Sequence, residues 1–187
     1  VGRFVYWMNT SIDLRIEQAE GENGGGEWLR IDEQLHRDFN ARARELTAMV
    51  QGRVVYEIMD PFWPDARTDE TMPDFMREYG HIWTDAPKLL VSRTRTEAAH
   101  STRIVSSIDE LAAFRAETEG SIGVGGANVA TQLLRAGLLD ELLLYIHPAY
   151  LGAGRPLFDD YDEPLSVELL EHRVFDSGVA MHRYEVR

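Results

Sequence analysis

The segment from Ser121 to Phe158, SIGVGGANVATQLLRAGLLDELLLYIHPAYLGAGRPLF, constrains the fold more than any other part of the chain. An apolar run (Ile122 to Val124) meets a diglycine (Gly125 and Gly126), an amphipathic stretch from Ala127 to Ala136, then Gly137 and a second apolar run, Leu142 to Ile146. Strand, glycine turn, helix and strand in that order read as an α/β architecture. The turn has chemistry of its own. Glycines let backbone approach a phosphate, and the first turn of a helix presents unpaired N–H groups with partial positive charge. Gly125, Gly126, Ala127, Asn128 and Val129 are therefore candidates for a cofactor pyrophosphate. The plain alternative is a strand-to-helix turn that needs glycine only for packing. The third glycine of the Rossmann fingerprint is missing, and no Walker lysine follows.

The rest of the chain alternates in the same manner. Arg3 to Met8 reads as a short strand, and residues 18–27 (QAEGENGGGE) as an acidic, glycine-rich flexible loop. Asp32 is a candidate N-cap for a helix through Leu35, Phe39, Ala43 and Leu46. Thr47 to Gln51 reads as a strand, Val54 to Met59 as a short helix, and a further helix surrounds Phe75, Met76 and Tyr79. Short strands at Leu89 to Ser92 and Arg103 to Val105 precede a helix from Ser107 to Glu117, capped by Ser107 or Asp109. Val167 to Phe175 and Val179 to Val186 flank Asp176-Ser-Gly178 as an antiparallel hairpin. The expectation is one α/β domain over residues 1–187, its mixed sheet parallel in the middle and antiparallel at the C-terminal edge.

Composition narrows the function. With 187 residues the chain can bury one sizeable core, and no stretch is apolar enough to span a membrane. The absence of cysteine removes disulfides, thiolate catalysis and cysteine metal sites, so the default location is cytoplasmic. A net charge of -13 speaks against nucleic-acid binding. The six histidines have no metal-ligand spacing, and no Gly-x-Ser-x-Gly elbow marks a hydrolase. No metal is expected.

Four motifs in order carry a resemblance: FVYWMNTSIDLRI (residues 4–16), QGRVVY (51–56), LVSRT (90–94) and the 124–158 segment. Together they resemble the dihydrofolate-reductase-like reductase family that includes the reductase domain of the riboflavin-biosynthesis deaminase-reductase. The resemblance implies a three-layer α/β/α fold, NADPH as cofactor, and a homodimer joined through the sheet edge and C-terminal region. It also implies reduction of a small heterocycle, in the specific family case the ribosylamino group of 5-amino-6-(5-phosphoribosylamino)uracil. Two positions depart from the family, Leu14 where glycine is usual and Val54 where threonine is.

The strand-end turns of an open α/β sheet converge on one crevice, which makes Gly52, Arg53 and Val54, and Ser92, Arg93 and Thr94, the remaining cofactor candidates. A serine and an arginine side by side suit a ribose 2′-phosphate, hence NADPH over NADH. Arg95 competes with Arg93 for that task, and sequence does not rank them. Asp13, in the Ser-Ile-Asp turn, is the catalytic candidate, for orienting the substrate and polarising the acceptor; its plain alternative is a turn aspartate. Trp28 and Glu33 (or Asp32) could meet a pterin-like ring, and Tyr56 with Trp63 could wall a planar heterocycle. Trp63 and its neighbours are equally explained as a core edge or dimer seal. Arg155 reads as a solvated turn arginine, with a substrate phosphate as its other partner. Rival readings are a nucleotide- or flavin-binding homodimer without turnover, a dihydrofolate reductase activity, and a structural homodimer with a vestigial groove.

Overall fold

The computed structural model describes residues 1–19 and 26–187, so most of the glycine-rich loop expected at 18–27 lies outside the described residues. In chain order the elements are β1 (Arg3–Thr10), β2 (Arg15–Glu17), α1 (Glu33–Arg44), β3 (Leu46–Gly52), α2 (Arg53–Met59), α3 (Trp63–Ala66), α4 (Asp74–Asp85) and β4 (Lys88–Val91). Then follow β5 (Thr102–Val105), α5 (Ile108–Glu117), β6 (Ser121–Gly125), α6 (Ala127–Arg135), β7 (Leu139–Ile146), β8 (Arg155–Pro156), β9 (Val167–Val174) and β10 (Ala180–Val186). The main sheet has eight strands in the order β5-β4-β3-β6-β1-β7-β10-β9. Its first six strands are parallel, and β10 and β9 close the C-terminal edge antiparallel.

Alternation along the strands builds three layers. Phe4, Tyr6, Val50, Ile122, Val124, Leu142 and Leu144 face α5 and α6, meeting Leu111, Val129 and Leu133. Val5, Leu143 and Tyr145 face the other way, against Leu35 and Phe39 of α1. Met49 and Leu90 join Ala43, Tyr56 and Trp83 on that same side. Central strands buried on both faces are why β1 and β7 read as nearly continuous apolar runs.

Local chemistry explains the helix starts. Asp32 Oδ1 accepts from Leu35 N–H at 2.9 Å, and Ser107 Oγ, the cap of α5, accepts from Glu110 N–H at 3.3 Å. Two details differ from sequence expectation. Leu46 belongs to β3 rather than to the α1 stripe, because Glu45 ends the helix. The small β2–β8 sheet was not legible, since its partners lie some 140 positions apart and β8 has only two residues. Among the described residues no helix is long and apolar enough to cross a membrane.

Candidate functional site

A groove of about 580 Å³ runs across the carboxyl ends of the parallel strands. The order of strands fixes the order of its walls. Ser106 and Ser92 to Thr94 stand beyond β5 and β4, and Gly52 to Val55 beyond β3. Gly126, Asn128 and Val129 follow beyond β6; Met8 on β1, with Ile16, Glu17 and Arg155 of the small sheet, completes the far end. Five adjacent strands at ~4.8 Å spacing span roughly 19 Å. That is room for an extended dinucleotide. All three predicted turns therefore meet in one groove.

The middle of the groove is a backbone cradle. Gly126 has φ 109° and stands at the N-cap of α6. That conformation is what calls for glycine, since a Cβ there would meet Gly52 N and Val55 Cγ2 only at ordinary contact distances of 3.6 and 3.5 Å. The first intrahelical bond of α6 is Ala130 N–H to Gly126 O at 3.1 Å, which leaves the N–H groups of Ala127, Asn128 and Val129 at the open end. Gly125 ends β6 beneath Val55, and Ala127 is buried in the core, so these two serve the cradle through backbone. These residues fit a pyrophosphate.

Charge pairing ranks the arginines. Arg53 donates to Glu57 at 2.8 Å, and Arg95 pairs with the same carboxylate at 3.3 Å while lying over the Tyr56 ring. Arg93 lines the groove and has no ion pair among the described residues. Ser92 Oγ accepts from Thr94 N–H at 3.3 Å and Arg95 N–H at 3.1 Å, so the hydroxyl shapes the turn that presents Arg93. Val54, half-exposed, lines the groove with Ile58 one helical turn on.

Asp13 lies on the turn between β1 and β2. Its carboxylate accepts from Ser11 Oγ at 2.6 Å, Leu151 N–H at 3.0 Å and Gly152 N–H at 2.8 Å. The Ser11 hydroxyl, with the two backbone donors, holds its pKa down at about 2. The group is ionised throughout the neutral range and braces the 149–154 loop. It donates no proton there.

The other substrate candidates are dispersed. Trp28 is buried edge-on against His147 at 5.7 Å, and its Nε1 has no acceptor among the described residues. Glu33 is exposed and pairs with Arg37. Tyr56 is 1% exposed in the core, its hydroxyl accepting from Ala99 N–H at 3.1 Å. Trp63 stacks edge-to-face on Tyr79 at 4.5 Å and donates to Met59 Sδ. None of these four lines the groove. Sequence reasoning missed Met8, Ile16, Glu17, Val55, Ile58, Val91, Ser106 and Gln132 as lining residues. Ile58 had a signal, its i, i+4 spacing from Val54; Glu17 and Ile16 had none, because the fold of the 11–18 turn brings them in.

Comparison with known proteins agrees with the geometry. The chain is 27% identical over 168 residues to YyaP of Bacillus subtilis (strain 168), covering 88% of this chain and 86% of that protein. A crystal structure of a putative riboflavin biosynthesis protein from Shewanella sp. PV-4 superposes with a TM-score of 0.71 at 20% identity, over 99% of both chains. Acinetobacter baumannii RibD superposes with a TM-score of 0.64 at 17% identity; all of this chain matches 58% of that one. The family model of the RibD C-terminal domain matches residues 5–181. With that match over nearly its whole length, and the three-layer architecture those structures share, the chain belongs to the RibD C-terminal domain family.

Proposed function

We propose that this protein is an NADPH-dependent reductase of a small heterocyclic metabolite and works as a homodimer. The observation that carries the reading is the groove itself, where a glycine cradle adjoins one arginine, Arg93, without an ion pair among the described residues. An arginine of that kind at the β4 end has the charge and planarity to grip a 2′-phosphate. The α6 N-terminus and the Gly52–Gly126 approach would hold the pyrophosphate. The nicotinamide would then fall at the β1 end, against Met8 and Ile16, where apolar walls exclude water.

When bound, the reduced nicotinamide supplies the hydride. The chain's own residues align donor and acceptor and keep the site dry. Asp13, fixed as an anion, acts through position: it holds the 149–154 loop against the β1–β2 turn and so shapes the acceptor end. The rival reading, nucleotide or flavin binding without turnover, draws support from the same Asp13, whose carboxylate cannot supply a proton at neutral pH.

Calorimetric titration with NADPH and NADH tests the proposal. NADPH should bind with micromolar affinity and tighter than NADH. Arg93→Ala should weaken NADPH at least tenfold and NADH less than threefold, because only NADPH carries the 2′-phosphate. Equal losses would remove Arg93 from that role. Binding without NADPH oxidation across a heterocycle screen would favour the non-catalytic reading.

A further inference from the structure

Resting on the reductase reading, we infer that Glu17 sets acceptor specificity, by occupying Arg155 so that the acceptor end of the groove rejects phosphate-bearing compounds and takes neutral or cationic ones. The groove places its two polar ends under opposite electrostatic control. At the β4 end stands Arg93, without an ion pair among the described residues. At the β1 end the one lining arginine is Arg155, and it is already spoken for. Its Nε and Nη2 donate to both oxygens of Asp159 at 3.2 and 2.9 Å, a two-pronged pair. Its Nη1 lies 3.5 Å from Glu17 Oε1.

These carboxylates, Asp159 foremost, raise the Arg155 pKa further, so it stays a cation with its charge matched locally. Glu17 is itself a groove wall and half-exposed, which places its carboxylate on the side an incoming ligand meets. The remaining arginine of this corner, Arg15, donates to Gly154 O at 3.2 Å and lies 3.9 Å from Asp13. A phosphate entering here must displace Glu17 from Arg155 and approach a second carboxylate at Asp159. Like charges at such separations repel strongly in a partly dehydrated cleft. A flat, uncharged or cationic ring meets Met8 and Ile16 instead.

The arrangement is held by strand pairing. Glu17 and Arg155 are register partners in the β2–β8 ladder. Gly154 makes that pairing possible, since a Cβ there would run into the Glu17 carbonyl oxygen. The two side chains therefore meet because the backbone fixes them opposite each other.

The test uses ribose 5-phosphate as the probe, followed by ³¹P line broadening on protein saturated with NADP⁺. A separate NADPH titration of the same samples shows whether the cofactor reading stands. The wild type should give no broadening at millimolar probe. Glu17→Ala should bind it at least tenfold more tightly than the wild type, and Glu17→Ala with Arg155→Ala should lose that gain. Binding by the wild type, or a Glu17→Ala variant that gains nothing while NADPH still binds, overturns the inference and leaves the reductase reading intact. Failure of NADPH to bind overturns the reductase reading and the inference with it.

Discussion

Leu14 has φ 56°, a left-handed conformation, at the position where the resembling family usually has glycine. The turn is closed by backbone bonds: Leu14 N–H donates to Ser11 O at 3.1 Å and Ser11 N–H to Arg15 O at 2.9 Å. The backbone strain is borne by the leucine, whose Cβ crowds the following carbonyl. Leu14→Gly should therefore stabilise the fold by about 0.5–1 kcal/mol, the relief exceeding the added chain entropy. Urea midpoints measure this, and a lower midpoint would mean that Leu14 packs better than its 42% exposure implies. Asp13 one residue earlier has the opposite character, a residue whose role is set by partners rather than by its own backbone. For Asp13→Asn we expect turnover reduced about a hundredfold with NADPH affinity unchanged, since Asn lacks the charge that grips Leu151 and Gly152 N–H but stands away from the cradle. Loss of both together would place Asp13 on the cofactor side.

Among elements, the join between the 26–31 loop and the strand ends is made by one imidazole. His147 follows β7 and is fully buried. Its Nδ1 accepts from Arg30 N–H at 2.8 Å and its Nε2 bonds Asn9 Oδ1 at 2.8 Å, which requires the neutral ring with the proton on Nε2. Burial, aided by the nearby Arg30 charge, pushes its pKa down to about 4 from the usual 6.5. The sign follows: below pH 6.5 the unfolded chain takes up a proton that the folded chain refuses. The stabilisation is complete above 6.5 and declines as pH falls toward 4, by up to about 3 kcal/mol. His147→Gln can accept from Arg30 and donate to Asn9 without titrating. Its urea-derived stability should change less between pH 7 and 4.5 than that of the wild type. Parallel curves for the two proteins would show that His147 does not titrate in this range.

The whole molecule is lopsided. One sheet edge ends at β9, most of whose residues are exposed. Towards α1, β9 is pinned by ion pairs, Glu171 to Arg42 at 2.6 Å and Arg173 to Asp38 at 3.0 Å. Register sets Val174 opposite Ala180 and, past a bulge at Leu170, Leu169 opposite Tyr184, so Leu169 and Val174, 49% and 73% exposed, share the face away from those ion pairs. An apolar edge strand left open invites pairing with another chain. The proposed homodimer would bury this edge. Sedimentation should give twice the chain mass for the wild type. Leu169→Lys with Val174→Lys should give the monomer mass with unchanged circular dichroism; a wild-type monomer would refute the dimer.

Periodicity and glycine placement are local properties, so the sequence by itself determined the alternating elements, the parallel centre with its antiparallel edge, and the three turns of the groove. The caps at Asp32 and Ser107 were legible for the same reason, each acting within three residues. Tertiary structure alone decided which charges are spent. Arg95 is tied to Glu57 across 38 positions, Asp13 to Leu151 across 138, and Arg155 to Glu17 through a strand pairing no periodicity announces. It also decided that Tyr56 lies in the core rather than on a pocket wall. A side chain's chemistry depends on what stands within a few ångströms of it. For residues far apart in the chain, only the folded backbone sets that neighbour.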